Sequence, residues 1–174
     1  MPTMISDLEE QTLDLDWFAV DANGEIGHFA TGGLGFLPLS VKACNENRVL
    51  LRSFFRGLAG NGAAIESPSL ASHRHFASEA EKERSLEDFV QMSSKGLYSF
   101  DCIFDRKRPS GYYLVVLPSN PLTVEELPDE IRPALELTRF PGSFAKKDLF
   151  QGNEFRDERI ERIPPAVQYR RQEK

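Results

Sequence analysis

The residues that could carry chemistry are concentrated near the start of the chain, in the segment DLDWFAVDANGEIGHFATGGLG (residues 14–35). It contains His28 between apolar neighbours, and Gly32, Gly33 and Gly35 follow within seven residues. Glycine lets backbone N–H groups approach an anion closely. This cluster and His28 are therefore a candidate ligand pocket, although a lone histidine on an apolar strand face is more typical of a hydrogen-bonded core residue than of a catalytic base.

The common phosphate and calcium motifs do not fit this segment. A Walker A loop requires Gly-Lys-Ser/Thr, and a dinucleotide fingerprint requires G-x-G-x-x-G leading into a helix. Here the glycines lead into the sequence FLP (residues 36–38). The sequence DANGE (residues 21–25) has its glycine at position 4, whereas an EF-hand loop needs it at position 6. We interpret the glycines as a strand exit or close backbone packing, and DANGE as a hairpin turn.

The sequence predicts neither a metal site nor a cofactor. His73 and His75 lie two residues apart, but no third ligand lies near them in sequence. No serine or cysteine occupies a nucleophile motif such as G-x-S-x-G. We expect Cys44 and Cys102 to be reduced thiols packed as small apolar groups. No catalytic residue is predicted, and a non-enzymatic role is favoured over an enzyme.

The charge distribution limits the classes of partner. The 174-residue chain has a net charge of −6; residues 1–150 hold 15 basic and 22 acidic side chains, which gives −7 for this part. A nucleic-acid partner is not expected, because it would require a basic stripe. An acidic body suits a basic protein partner, since complementary potentials speed encounter. The expected partner surface consists of N-terminal acids and a neighbouring aromatic residue: Asp7, Glu9, Glu10, Asp14, Asp16 and Trp17.

Three arginines recur four residues apart on one predicted helix. Arg48, Arg52 and Arg56 would share a face, where like charges repel unless acids or an anionic partner lie opposite. We favour pairing with the acidic N-terminal segment over binding of an external anion.

The first hairpin, which must position His28, has two alternative registers. A two-residue type I′ turn at Asn23-Gly24 would pair Phe18 with Phe29. A type I turn followed by a glycine bulge would pair Phe18 with His28. The second register is favoured, because it places Gly24 in the left-handed conformation that glycine readily adopts.

The remaining pattern predicts an α+β fold, an antiparallel or mixed sheet with two or three helices packed on it. Residues 1–155 are expected to form one domain, and residues 156–174 a charged, partly irregular C-terminal segment. The first expected elements are a helix capped by Ser40, a loop over 58–72 and a helical region over 76–95 that is continuous or broken near Ser85. A hairpin of strands 97–104 and 112–117 around a polar loop follows, then a short helix over 129–137. Phe144 and the pair Leu149-Phe150 are expected to form a last strand or an edge.

No membrane partner is expected, because the longest apolar stretches are far shorter than the roughly 20 residues that a membrane-spanning helix needs. The N-terminus has no basic region of the kind that begins a signal peptide, so the expected location is cytoplasmic.

Two stretches resemble small bacterial proteins of toxin-immunity systems: DWFAVDANGEIGHFATGG and GYYLVVLPSNPLTVEELPDEIRPAL, together about a quarter of the chain. The resemblance implies binding rather than catalysis and assigns no chemistry to any residue. The leading hypothesis is a non-enzymatic bacterial protein-interaction module, such as an immunity-type protein that neutralises a basic partner through its acidic surface. The alternative is a small-ligand binder or enzyme with a pocket near residues 32–35 and His28. The oligomeric state is not predicted.

Overall fold

The computed structural model describes residues 1–105, 111–151 and 154–155, which form a mixed sheet with helices packed on it. The strands are β1 (Asp16–Val20), β2 (Ile26–Ala30), β3 (Ala64–Glu66), β4 (Tyr98–Cys102), β5 (Gly111–Pro118) and β6 (Leu149–Gln151). The α-helices are α1 (Asp7–Thr12), α2 (Leu39–Lys42), α3 (Asn45–Gly57), α4 (Leu70–His73), α5 (Glu79–Ser94) and α6 (Arg132–Leu135), with 3-10 turns at Val124–Glu126 and Phe144–Lys146.

The strand order is β1-β2-β4-β5-β3, and β6 pairs with the other end of β5. The pairing of β2 with β4 is parallel, and the other named pairs are antiparallel. The α+β class is confirmed, although six α-helices exceed the expected two or three because the described chain also contains several one- or two-turn helices.

The first hairpin adopts the bulged register, in which Phe18 lies opposite His28. The Gly24 N–H donates to the Asp21 carbonyl, and Gly24 has φ +79°. The Asp21 carboxylate accepts the N–H groups of Asn23 and Glu25, as in an Asx turn, and also the distant N–H of Phe144. The predicted turn is therefore tied to the C-terminal part of the described chain.

Two helices differ from their predicted starts. Ser40 is not an N-cap; its hydroxyl is 2.8 Å from that of Thr138, and the chain bends at Cys44 between α2 and α3. The helical region predicted over 76–95 is α5, which is one helix without a break near Ser85. It begins after Ser78, whose side chain accepts the N–H of Glu81.

Two strand boundaries were also wrong. The predicted loop over 58–72 contains β3 and α4, because the outer edge of β5 offers unpaired backbone groups and Ile65 pairs there with Leu117. The strand predicted to end at Phe104 ends at Cys102, and Phe104 is 54% exposed instead of lying on the core face. The predictions for residues 106–110 and 156–174 fall outside the described residues.

Both faces of the sheet are covered, but on one face a gap between two helices lies over β2. One face packs Trp17, Phe29, Phe100 and Tyr112 into an aromatic core. On the other face α3 packs on β1, and α5 packs on β4 and β5. The same face of β2, including His28, therefore lies between two helices. No helix in the described ranges is long and apolar enough to cross a membrane.

Candidate functional site

A polar cleft of about 430 Å³ lies over β2, between α3 and α5. The strands contribute acidic and imidazole side chains to it, and the helices and loops contribute guanidinium groups. Its charged and polar lining includes Asp16, His28 and Asp101 from the strands, Arg52 and Arg56 from α3, Arg84, Glu87 and Asp88 from α5, and Arg74 and Asp14 from the flanking loops.

Asp16 holds two of the arginines in place. Its carboxylate accepts Arg52 Nε at 3.1 Å and Arg56 Nη2 at 2.9 Å, and the Asp16 side chain is 12% exposed. Burial raises the pKa of Asp16, but the hydrogen bond and charge of His28, together with Arg56, hold it well below its usual range. Asp16 is therefore an anion at neutral pH, and the predicted pairing of the arginine stripe with the N-terminal acids is confirmed for Arg52 and Arg56. Among the described residues, Arg48 donates hydrogen bonds only to the Asp16 carbonyl, at 3.4 Å, and to the Asn45 side chain.

His28 connects Asp16 to the interior of the sheet. Its Nε2 lies 3.2 Å from Asp16 Oδ1, and its Nδ1 lies 3.4 Å from Ser99 Oγ. The ring is 1% exposed and lies beside those of Phe18 and Phe89. Both ring nitrogens have partners, so His28 positions Asp16 and is not placed to react with a ligand.

Ser99, His28 and Asp16 are connected in the order of a catalytic triad, but their positions relative to the cleft are reversed. Nucleophilic catalysis needs the serine at the substrate and the carboxylate behind the histidine. Here Asp16 lies at the cleft, whereas Ser99 is fully buried and receives a hydrogen bond from Ser93. This arrangement cannot present a serine nucleophile to a ligand in the cleft.

Asp101 anchors a third arginine from the other side of the cleft. Its Oδ2 accepts Arg74 Nη1 at 3.1 Å and the Tyr113 hydroxyl at 3.3 Å. Burial raises the pKa of the Asp101 carboxyl to about 6, against the opposing effects of Arg74 and Tyr113. A pKa near 6 leaves Asp101 mostly ionised at pH 7, so it pairs with Arg74 as a carboxylate in spite of its burial.

Arg84 differs from the other three arginines. Its guanidinium forms no ion pair or hydrogen bond with any residue in the described ranges, although it lines the same cleft. Four guanidinium groups therefore meet the buried Asp101, the largely buried Asp16 and three exposed acids, of which Asp88 lies 3.5 Å from Arg56. Solvent weakens the influence of the exposed acids; for example, the Asp88 side chain is 65% exposed.

The predicted partner surface is largely occupied by contacts within the chain. Trp17 is fully buried, and its indole N–H donates to the Tyr112 hydroxyl, so it cannot contact a partner in this fold. Asp7 and Glu10 both pair with Lys42. Glu9 completes the capping box of α1. The last two acids lie at the cleft: Asp14 accepts the N–H of a glycine at its rim, and Asp16 binds the arginines.

The glycine cluster does not act as a unit. Gly32 lines the cleft, and a Cβ there would lie 2.8 Å from the Phe104 ring. Gly33 lies against the backbone of Thr12, and a Cβ at Gly35 would overlap the Tyr112 hydroxyl. Of the three glycines, Gly32 alone lines the candidate pocket with His28; Gly35 allows close packing, and Gly33 has φ +72°, which favours glycine.

The remaining candidates have structural environments. Cys44 and Cys102 are unpaired and buried, as expected. His73 stacks on Tyr113 with ring centroids 4.9 Å apart. Within the described ranges, no three His, Cys, Asp or Glu side chains lie close enough to hold a metal ion.

Sequence reasoning missed Arg74, Arg84 and Asp101. A usable signal existed only for Asp101, which is an acid at an alternate position of a predicted apolar strand, YSFDC. Arg74 lies between the predicted loop and the next predicted helical region, and Arg84 lies on a polar helix face, where nothing in the sequence marks either residue. Comparison of the chain with models of known families, with curated proteins and with solved structures finds no match.

Proposed function

We propose that this protein is a ligand-binding module whose cleft recognises an anionic group, a carboxylate or a phosphate. The proposal rests on one observation above all: two largely buried carboxylates, Asp16 and Asp101, hold three arginines at a cleft whose fourth arginine has no ion-pair partner in the described chain. This develops the alternative hypothesis of a pocket near His28.

Preorganisation supports this function. Arg56 and Arg74 are each fixed by a carboxylate behind them, with side chains 35% and 29% exposed. A guanidinium group has five donors in a rigid fork, so an anchored arginine keeps donors for a second anion. Little side-chain entropy would then be lost on binding.

The size of the cleft supports a small ligand. About 430 Å³ falls within the range of about 300–1,000 Å³ typical of small-molecule sites. The parallel pair β2–β4 ends beside the cleft, at Ala30 and Cys102, and the carboxyl ends of parallel strands are a common place for ligands in open sheets.

Calorimetric titration with sulfate tests the proposal, because sulfate keeps the same charge across the neutral pH range. The wild-type protein should bind sulfate saturably, and Arg84→Gln should weaken binding at least about 5-fold, as expected for loss of one charge-assisted hydrogen bond. Arg139→Gln is the matched control, since Arg139 pairs with Glu136 and does not line the cleft. Absence of saturable binding, or equal weakening in both variants, would reject the proposal.

A second candidate function is the binding of a basic protein partner, as in an immunity-type protein. It is favoured by the net charge of −6 and by four exposed acids in one short segment, Glu125, Glu126, Asp129 and Glu130. Co-purification from the native host at low salt is the test. A stoichiometric basic partner released by high salt would support this function, and purification without any partner would count against it.

A further inference from the structure

Phe104 is the one exposed Phe, Tyr or Trp side chain in the described part of the chain. Its side chain is 54% exposed, whereas the aromatic residues of the sheet are buried. An aromatic ring at the edge of a polar cleft is a candidate stacking surface, because ring stacking is favourable for any planar partner.

Gly32 fixes one side of the Phe104 ring. A Cβ on Gly32 would lie 2.8 Å from Phe104 Cε1 and 2.9 Å from Cζ, so the ring contacts the backbone where a side chain would otherwise stand. Gly32 has φ +51°, and its N–H donates to Asp14 Oδ1 at 2.8 Å. The ring is thus supported from behind by a restrained loop, which reduces the entropy lost when a ligand contacts its free side.

Phe104 and Arg74 join the cleft to a second depression of about 640 Å³. Both residues line both spaces, so the two spaces adjoin at these side chains. The cleft supplies most of the guanidinium groups. Four of the seven residues that line the second depression carry rings, including His73 stacked on Tyr113, and the others are Arg74, Ile103 and Asp105. A ligand that spans the junction would meet cations at one end and aromatic surface at the other.

We infer that the ligand carries a planar aromatic ring joined to its anionic group, with the anion in the arginine cleft and the ring stacked on Phe104. This inference rests on the proposed anion-binding function and adds the chemical class of the ligand, an aryl phosphate or an aryl carboxylate. The two anions share the same recognition by arginine, and separate probes distinguish them.

The experiment compares probes that have the same anionic group and differ in the ring. Phenyl phosphate is compared with methyl phosphate, and benzoate with acetate, by calorimetric titration at pH 7.5. In at least one pair the aromatic probe should bind the wild-type protein about 5- to 100-fold more tightly, the range for one stacked ring. Phe104→Leu should remove this preference and leave the non-aromatic probe unchanged. Leu39→Ala is the control, since Leu39 is exposed and lines neither space.

The possible outcomes separate the two claims. Equal binding of the aromatic and non-aromatic probes would overturn the inference and leave anion binding standing. A preference that persists in Phe104→Leu would also overturn it, because the ring would then bind elsewhere. No saturable binding of any probe would reject both the inference and the proposed function.

Discussion

The substitution Asp16→Asn tests the charge network of the cleft most sharply. It preserves the shape of the side chain but removes the negative charge that His28, Arg52 and Arg56 share, with atoms 3.2, 3.1 and 2.9 Å away. The contact with His28 is buried, so its loss should cost about 1.5–3 kcal/mol. The two arginines are 51% and 35% exposed, and solvent screening limits their part to about 0.2–1 kcal/mol each.

The free energy of unfolding at pH 7 should therefore fall by about 2–5 kcal/mol, measured by urea denaturation. Because the pKa of Asp16 is lowered by folding, its stabilising contribution is present above the unfolded pKa near 3.9 and is lost as the pH falls through the folded value. The difference between the two proteins should be full above about pH 5 and should narrow in acid.

Asp14→Asn is the matched control for this substitution. The Asp14 carboxylate lies at the same cleft, is exposed, and accepts the Gly32 N–H. Its neutralisation should cost less than about 1 kcal/mol. If Asp16→Asn destabilises the protein no more than Asp14→Asn does, or if its destabilisation does not depend on pH, the Asp16 charge does not stabilise the cleft.

Three further substitutions test other parts of the structure by the same urea measurement. Gly32→Ala should destabilise the protein by about 1–3 kcal/mol, because φ is +51° and the new Cβ would meet the Phe104 ring; no change would contradict this packing. Asp101→Asn should make the free energy of unfolding depend less on pH. Burial raises the pKa of Asp101 to about 6, so its stabilising contribution is present below about pH 4 and is lost as the pH rises through 6. The wild-type protein should lose ~3 kcal/mol over this range, and the variant should not; an unchanged pH dependence would contradict this. Trp17→Phe should cost about 1–3 kcal/mol, because the indole N–H bonds the Tyr112 hydroxyl at 3.0 Å in a fully buried site, and a neutral result would argue against that bond.

Local sequence signals predicted the hairpins well. The register of β1 and β2 follows from Asp21 and Gly24, because the turn geometry that suits both residues leaves one pairing of the strands. The alternation in YSFDC and the apolar run of β5 likewise predicted that β4 and β5 form the second hairpin. These features depend on neighbours a few residues apart, which sequence patterns encode directly.

The cleft depends on contacts that no local pattern encodes. Asp16 meets Arg56 across 40 residues, and Arg74 meets Asp101 across 27. The parallel pairing of β2 with β4 places Asp101 beside Ala30, which also pairs with Asp16, so both ion-pair groups line one cleft. Parallel pairs carry no turn signal. The sequence predicted that Arg52 and Arg56 pair with an N-terminal acid. It did not predict that Arg74 pairs with Asp101, or that Arg84 has no ion-pair partner in the described ranges.

The most direct test of anion recognition is nuclear magnetic resonance of the arginine side chains during a sulfate titration, with chloride at matched ionic strength as the control. The Nε–Hε signals of Arg52, Arg74 and Arg84 should shift and saturate together. Those of Arg132 and Arg139, which do not line the cleft, should stay in place. Equal shifts at all five arginines, or shifts that never saturate, would contradict the assignment of the cleft as an anion site.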